Sequence, residues 1–152
     1  MKVFISYSTK DMDVVYQLRD VLKNNQIGCY LAEEDLQPGT SLWNKLERNI
    51  RNNDCVLAIL TINGTRSDLV NQEIATAYNF NKPIIPLVEK GVILKGVLEG
   101  KEYIEFDREN PSKALENATN FLRRFKIKLE NQQFFVGLLL TGLALWALSK
   151  KK

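Results

Sequence analysis

Strand-like and helix-like segments alternate from the first residues of the chain. "KVFISY" (2–7) and "GCYLA" (28–32) are short β-branched and aromatic runs, and "DCVLAILT" (54–61) is apolar almost throughout, as in a strand covered on both faces. "KPIIPLV" (82–88) and "EYIEF" (102–106) complete five strand-like segments, the last two separated by an irregular Gly-containing stretch. "DMDVVYQLRDVLKNNQ" (11–26) predicts a helix with Asp11 as N-cap and Val14, Val15, Leu18, Val21 and Leu22 on one stripe. "SLWNKLERNIRN" (41–52) predicts a second helix opened by Ser41, and a third runs from about 68 to 81. A last helix starts near Pro111 and continues through "ALENATNFLRRFKIKLE". Such alternation predicts an α/β fold with a parallel sheet covered by helices on both faces, in the flavodoxin-like order 2-1-3-4-5. The order reverses between strands 1 and 3. A ligand crevice is therefore expected between "SYST" (6–9) and "TINGTRS" (61–67).

One position breaks the pattern of the third helix. Leu69, Val70, Ile74, Ala77 and Tyr78 share a helical face, and Glu73 lies inside that stripe, four residues from Leu69 and from Ala77. An ionised group on a core-facing surface is costly unless it is paired or faces a cleft. A structural alternative is a helix acid favoured by the macrodipole.

Composition removes several chemistries. The 152 residues include no histidine, which excludes Ser-His-Asp and Cys-His catalysis and any His-liganded metal. Cys29 and Cys55 sit in apolar runs and read as buried hydrophobes of a reducing compartment. No charged-then-apolar leader precedes the first strand, so a cytoplasmic domain is expected. The net charge of +3 divides unevenly. Residues 121–152 hold seven basic side chains against Glu130 alone, net +6, which leaves −3 for residues 1–120 and no electrostatic footprint for nucleic acid. Clustered aspartates, a Gly-rich turn after strand 1 and a Gly-Lys-Ser/Thr loop are all missing, which excludes a receiver domain, a dinucleotide fold and a P-loop.

"KVFISYS" at the N-terminus, "EDLQPG" (34–39) after strand 2 and "SDLVNQE" (67–73) opening the third helix together resemble the three boxes of a Toll/interleukin-1 receptor (TIR) domain, over roughly residues 1–130. In that resemblance Glu73 takes the place of the catalytic glutamate of enzymatic members. It further implies that Tyr7 and Ser8 border the nucleotide and that Trp43 offers a stacking face. Asp35 and Leu69 complete the substrate-binding set, Leu69 standing where many enzymatic relatives have Trp. The segment Glu33 to Thr40, with its Pro-Gly, is implied to gate the site and to contact a neighbouring TIR domain.

The implied activity is cleavage of the nicotinamide–ribose bond of NAD+, giving nicotinamide and ADP-ribose or a cyclic isomer in a defence-signalling role. NAD+ is then substrate rather than cofactor, and homotypic TIR–TIR self-association is the implied partnership. The leaving group departs neutral from a cationic pyridinium, so no general acid is required. One desolvated carboxylate suffices to steady an oxocarbenium-like centre and hold the ribose hydroxyls. Two alternatives stand beside it: a non-catalytic TIR adaptor acting by assembly, and a nucleoside deoxyribosyltransferase-like enzyme that also turns a glutamate on an N-glycosidic bond. Trp43 shares a face with Leu46 and Ile50, which fits core packing equally well.

The tail "FFVGLLLTGLALWALSKKK" (134–152) is expected to lie outside the sheet domain, since residues 131–149 carry no charge. It predicts a C-terminal apolar helix over 131–152 that crosses a cell membrane once, with the TIR domain in the cytoplasm. Phe134 to Leu148 rise only about 22 Å, against a hydrocarbon thickness of ~30 Å, so interfacial residues must supply the rest.

Overall fold

The computed structural model describes residues 1–32 and 38–149, the side chains of 134–149 excepted. The described residues form a five-stranded parallel sheet in the order β2-β1-β3-β4-β5. Its strands are β1 (Lys2–Ser6), β2 (Gly28–Leu31), β3 (Cys55–Leu60), β4 (Ile84–Glu89) and β5 (Ile104–Phe106). The helices are α1 (Met12–Asn24), α2 (Leu42–Asn52), the short α3 (Ile62–Thr65), α4 (Asp68–Asn79) and α5 (Ser112–Ser149). This is the α/β order expected from the alternation of elements, and every residue of the uninterrupted apolar strand β3 is buried.

Crossovers between parallel strands are right-handed. The chain steps to one side of β1 to form β2 and thereafter always to the other, so α1 lies on the face opposite α2 and α4. Residue alternation then decides which β1 side chains meet which helices. Phe4 packs with Leu46 and Ile50 of α2, Val56 of β3 and Ala77 of α4. Nearer the start of α4, Val70 and Ile74 join Ala58, Leu60, Val88 and Leu98 in a second cluster. Each large side chain removed from water in this way stabilises the fold by roughly 1.5–3 kcal/mol.

Two local expectations are corrected. Asp11 stands at the start of α1 but makes no capping bond with its side chain. Its fully buried carboxylate instead accepts hydrogen bonds from Thr61 Oγ1 (2.6 Å) and Asn63 Nδ2 (3.3 Å) and pairs with Arg108 (2.5 Å). A charged partner and two side-chain donors outweigh one amide of the helix end. Arg108 also reaches Asp13 and Glu89, both at 3.1 Å, tying the loops after β1, β3 and β5 together. The stripe expected on α4 is also narrower than its periodicity. Val70, Ile74 and Ala77 are buried, whereas Leu69 and Tyr78 are 38% and 55% exposed, because one helix on a sheet covers only part of its circumference.

The chain divides into two compact units, Met1–Thr119 and Asn120–Lys152. The membrane span expected over 131–152 finds no support: among the described residues no helix is long and apolar enough to cross a membrane. The backbone of 134–149 is helical, but the side chains on which that expectation rested, and all of 150–152, lie outside the described residues.

Candidate functional site

The site is assembled from one strand end and two helices. Ser67 caps α4, its hydroxyl accepting from the Val70 amide (3.3 Å), and so fixes the phase of the helix. Glu73 follows in the second turn, past the reach of the N-terminal macrodipole, and is only 2% exposed. Its burial has a specific partner. Ser6, the last residue of β1, lies two positions beyond Phe4 and therefore points to the same face, toward α4. The buried Ser6 Oγ donates to Glu73 Oε2 at 2.5 Å.

The electrostatics follow from this geometry. Burial pushes the Glu73 carboxyl from its ordinary 4.5 up to about 7, and the Ser6 hydroxyl pulls the other way by bonding the charged form. The carboxyl is thus poised near neutrality, as groups that exchange protons or stabilise a passing cation are. Cys55 shows the opposite case. Its buried thiol is pushed up to about 12, chiefly by desolvation and then by Asp54, and no disulfide joins it to Cys29. Such a thiol is no nucleophile.

Glu73 lines a cavity of about 30 Å³ with Phe4, Tyr30, Leu42, Lys45, Asn49 and Leu69. That is close to the volume one water molecule occupies in the liquid. Tyr30 is set by its stack on Phe4, with ring centroids 5.5 Å apart, and by a 2.6 Å hydrogen bond from Asn49 Nδ2 to its hydroxyl. The cavity therefore lies between β1, β2, α2 and α4, and neither residues 6–9 nor 61–67 line it as the expected crevice required. The face of α4 that carries Leu69, Glu73 and Ala77 turns toward α2, which moves the site to that side of the sheet.

The site residues inferred from sequence fare unequally. Leu69 is brought beside Glu73. Tyr7 is buried but does not line the cavity; by alternation it follows Val3 and Ile5 to the other face. Ser8 caps the 3₁₀ turn Thr9–Asp11, its Oγ accepting from the Lys10 amide at 3.3 Å. Trp43 is 48% exposed and outside the lining, where its neighbour Leu42 takes part. Asp35 lies outside the described residues, while Gly39, at the end of the second box, holds φ at +83°. Sequence reasoning placed Ser6 in the stretch bordering the expected crevice but not as the partner of Glu73, and it missed Lys45. The alternation of Phe4 and Ser6 was a usable signal for the first. Lys45 is buried although charged, one position before Leu46 on α2, and no periodicity distinguishes it from a solvent-facing lysine. Among the described residues no cluster of His, Cys, Asp or Glu is arranged to hold a metal ion.

Comparison with known proteins agrees with the topology. The TIR domain of the Toll-related receptor TRR-2 from Hydra magnipapillata superposes with a TM-score of 0.68 at 16% identity, covering 82% of this chain and 97% of that one. The CMP N-glycosidase BcmB of Clostridium botulinum gives a TM-score of 0.56 at 16% identity, over 78% and 98% of the two chains. The TIR domains of the activated Roq1 resistosome, which recognises the pathogen effector XopQ, give 0.52 at 19% identity, over 59% of this chain and 57% of that one. At these identities the likeness concerns the fold. No curated protein matches in sequence. A family model described as TIR domain matches residues 3–122, most of the chain and all five strands, and the protein belongs to the TIR-domain family.

Proposed function

We propose that this TIR domain cleaves the N-glycosidic bond between nicotinamide and ribose in NAD+, with Glu73 as its catalytic carboxylate. The observation that carries the reading is a glutamate held 98% out of solvent beside a small cavity, with one side-chain hydroxyl donor among the described residues. A buried carboxylate whose partner is a neutral hydroxyl is costly to the fold, and function is the usual reason to retain one.

The ionised carboxylate stabilises the positive charge that develops at the anomeric carbon as nicotinamide departs, and binds the ribose hydroxyls. Water or an adenine nitrogen then captures that carbon, giving ADP-ribose or a cyclic isomer. Lys45 supplies the positive charge nearest this cavity for the diphosphate. A dinucleotide needs far more than 30 Å³, so binding displaces Leu42 and Leu69 at the rim, 68% and 38% exposed. That coupling of opening to binding fits a domain activated by assembly. A related fold in an N-glycosidase and in the assembled resistosome supports both halves of the reading by analogy of fold.

The small cavity also favours a second reading, a non-catalytic adaptor that only assembles. The deciding experiment is incubation of the full chain with NAD+, free and artificially clustered, with products identified by mass. Nicotinamide release that disappears in Glu73→Gln supports the enzyme; no release from the clustered wild-type chain refutes it.

A further inference from the structure

We propose that a second cavity, on the flank of α4 turned away from Glu73, binds a small amphiphile with an apolar body and one anionic head group. This cavity measures about 590 Å³, roughly twentyfold the space beside Glu73. It falls within the ~300–1,000 Å³ typical of small-molecule sites. Its walls are α3, the middle of α4 and the connection between β4 and β5.

The chemistry of the walls defines the occupant. Leu60, Ile74 and Leu98 form an apolar floor that belongs to the core of the sheet. Around it Ile62, Ile93 and Val97 are 53%, 77% and 37% exposed. Scattered singly, exposed aliphatic residues need no explanation, but three on the rim of one cavity form a surface that gains by being covered. The charged groups in the lining are Arg66 and Lys95, and no acid lines the cavity. Both cations are exposed, and neither makes an ion pair with a described residue. Two unmatched cations at an apolar mouth stand out in a region, residues 1–120, whose net charge is −3. A neutral apolar ligand leaves them idle, and a polyanion leaves the floor uncovered. An amphiphile with one carboxylate satisfies both.

The two cavities share a helix. Ile74 and Glu73 are consecutive, so occupancy braces α4 from the side opposite the carboxylate. The site itself stands whether or not Glu73 is catalytic.

The test titrates the full chain with octanoate and, separately, with octanol, following the methyl NMR signals of Ile62, Ile93 and Val97. Saturable shifts with octanoate, at least tenfold weaker with octanol, are expected. The double variant Arg66→Glu, Lys95→Glu changes exposed residues only and should lose at least tenfold in octanoate affinity. Absence of saturable shifts at these methyls, equal affinity for the alcohol, or unchanged affinity in the double variant overturns the proposal. So do shifts that grow with protein concentration alone, which would make this face an interface between copies.

Discussion

Replacing Ser6 by alanine removes a single donor from the Glu73 carboxylate and should drive that carboxyl further from its ordinary value. The side chain is fully buried, and its 2.5 Å bond opposes the upward push of desolvation. A hydrogen bond to a charged group contributes about 1.5–3 kcal/mol, and one pH unit corresponds to about 1.4 kcal/mol. The titration midpoint should therefore move from about 7 in the wild type to roughly 8–9 in Ser6→Ala. The consequence for stability has a definite sign. In the wild type the folded-state value is raised, so the native state binds the extra proton between 4.5 and about 7. This contribution is complete below 4.5 and is lost as pH rises to about 7, in all by roughly 3 kcal/mol. In Ser6→Ala the loss continues to higher pH. Variant and wild type should then diverge in melting temperature mainly above pH 7. Carbon-13 NMR of the Glu73 carboxyl reads the midpoint directly, independent of any activity. A midpoint that stays in place or falls refutes the argument that Ser6 holds the charged form.

Glu73→Gln should abolish nicotinamide release while melting no lower than the wild type at pH 8, because it removes a desolvated charge; mass analysis and calorimetry read the two effects separately. Arg108→Met strands the buried Asp11 on two neutral donors, and chemical denaturation should show a loss of about 2–4 kcal/mol. Gly64→Ala places a Cβ 2.6 Å from the Ile59 carbonyl oxygen, where backbone has to shift, and should cost about 1–3 kcal/mol in the same assay. If assembly opens the Glu73 cavity, nicotinamide release per molecule of full chain should rise with protein concentration, and a flat dilution series would refute the coupling.

Periodicity along the chain was sufficient to predict the α/β class, and the flavodoxin-like order expected for five such strands is the one observed. Buried strands, amphipathic helices and hydroxyl caps are local properties, and Ser41 and Ser67 cap their helices as their positions require. The three boxes likewise lie along the sequence, so the family was legible there, and Glu73 was conspicuous as a charge in an apolar stripe. What the chain could not disclose was which groups meet across the sheet. Asp11 has the sequence appearance of a cap, yet Arg108, 97 residues away, claims its carboxylate. Glu73 is held by Ser6 across 67 residues, and the direction in which α4 turns moves its cavity toward α2 and away from Tyr7 and Ser8. The second cavity is built from three segments whose apolar residues look ordinary one at a time. Hydrophobic spacing states which face of an element is buried. Which neighbour that face meets, and therefore which charges find partners, depends on crossovers and helix packing that only the assembled chain decides.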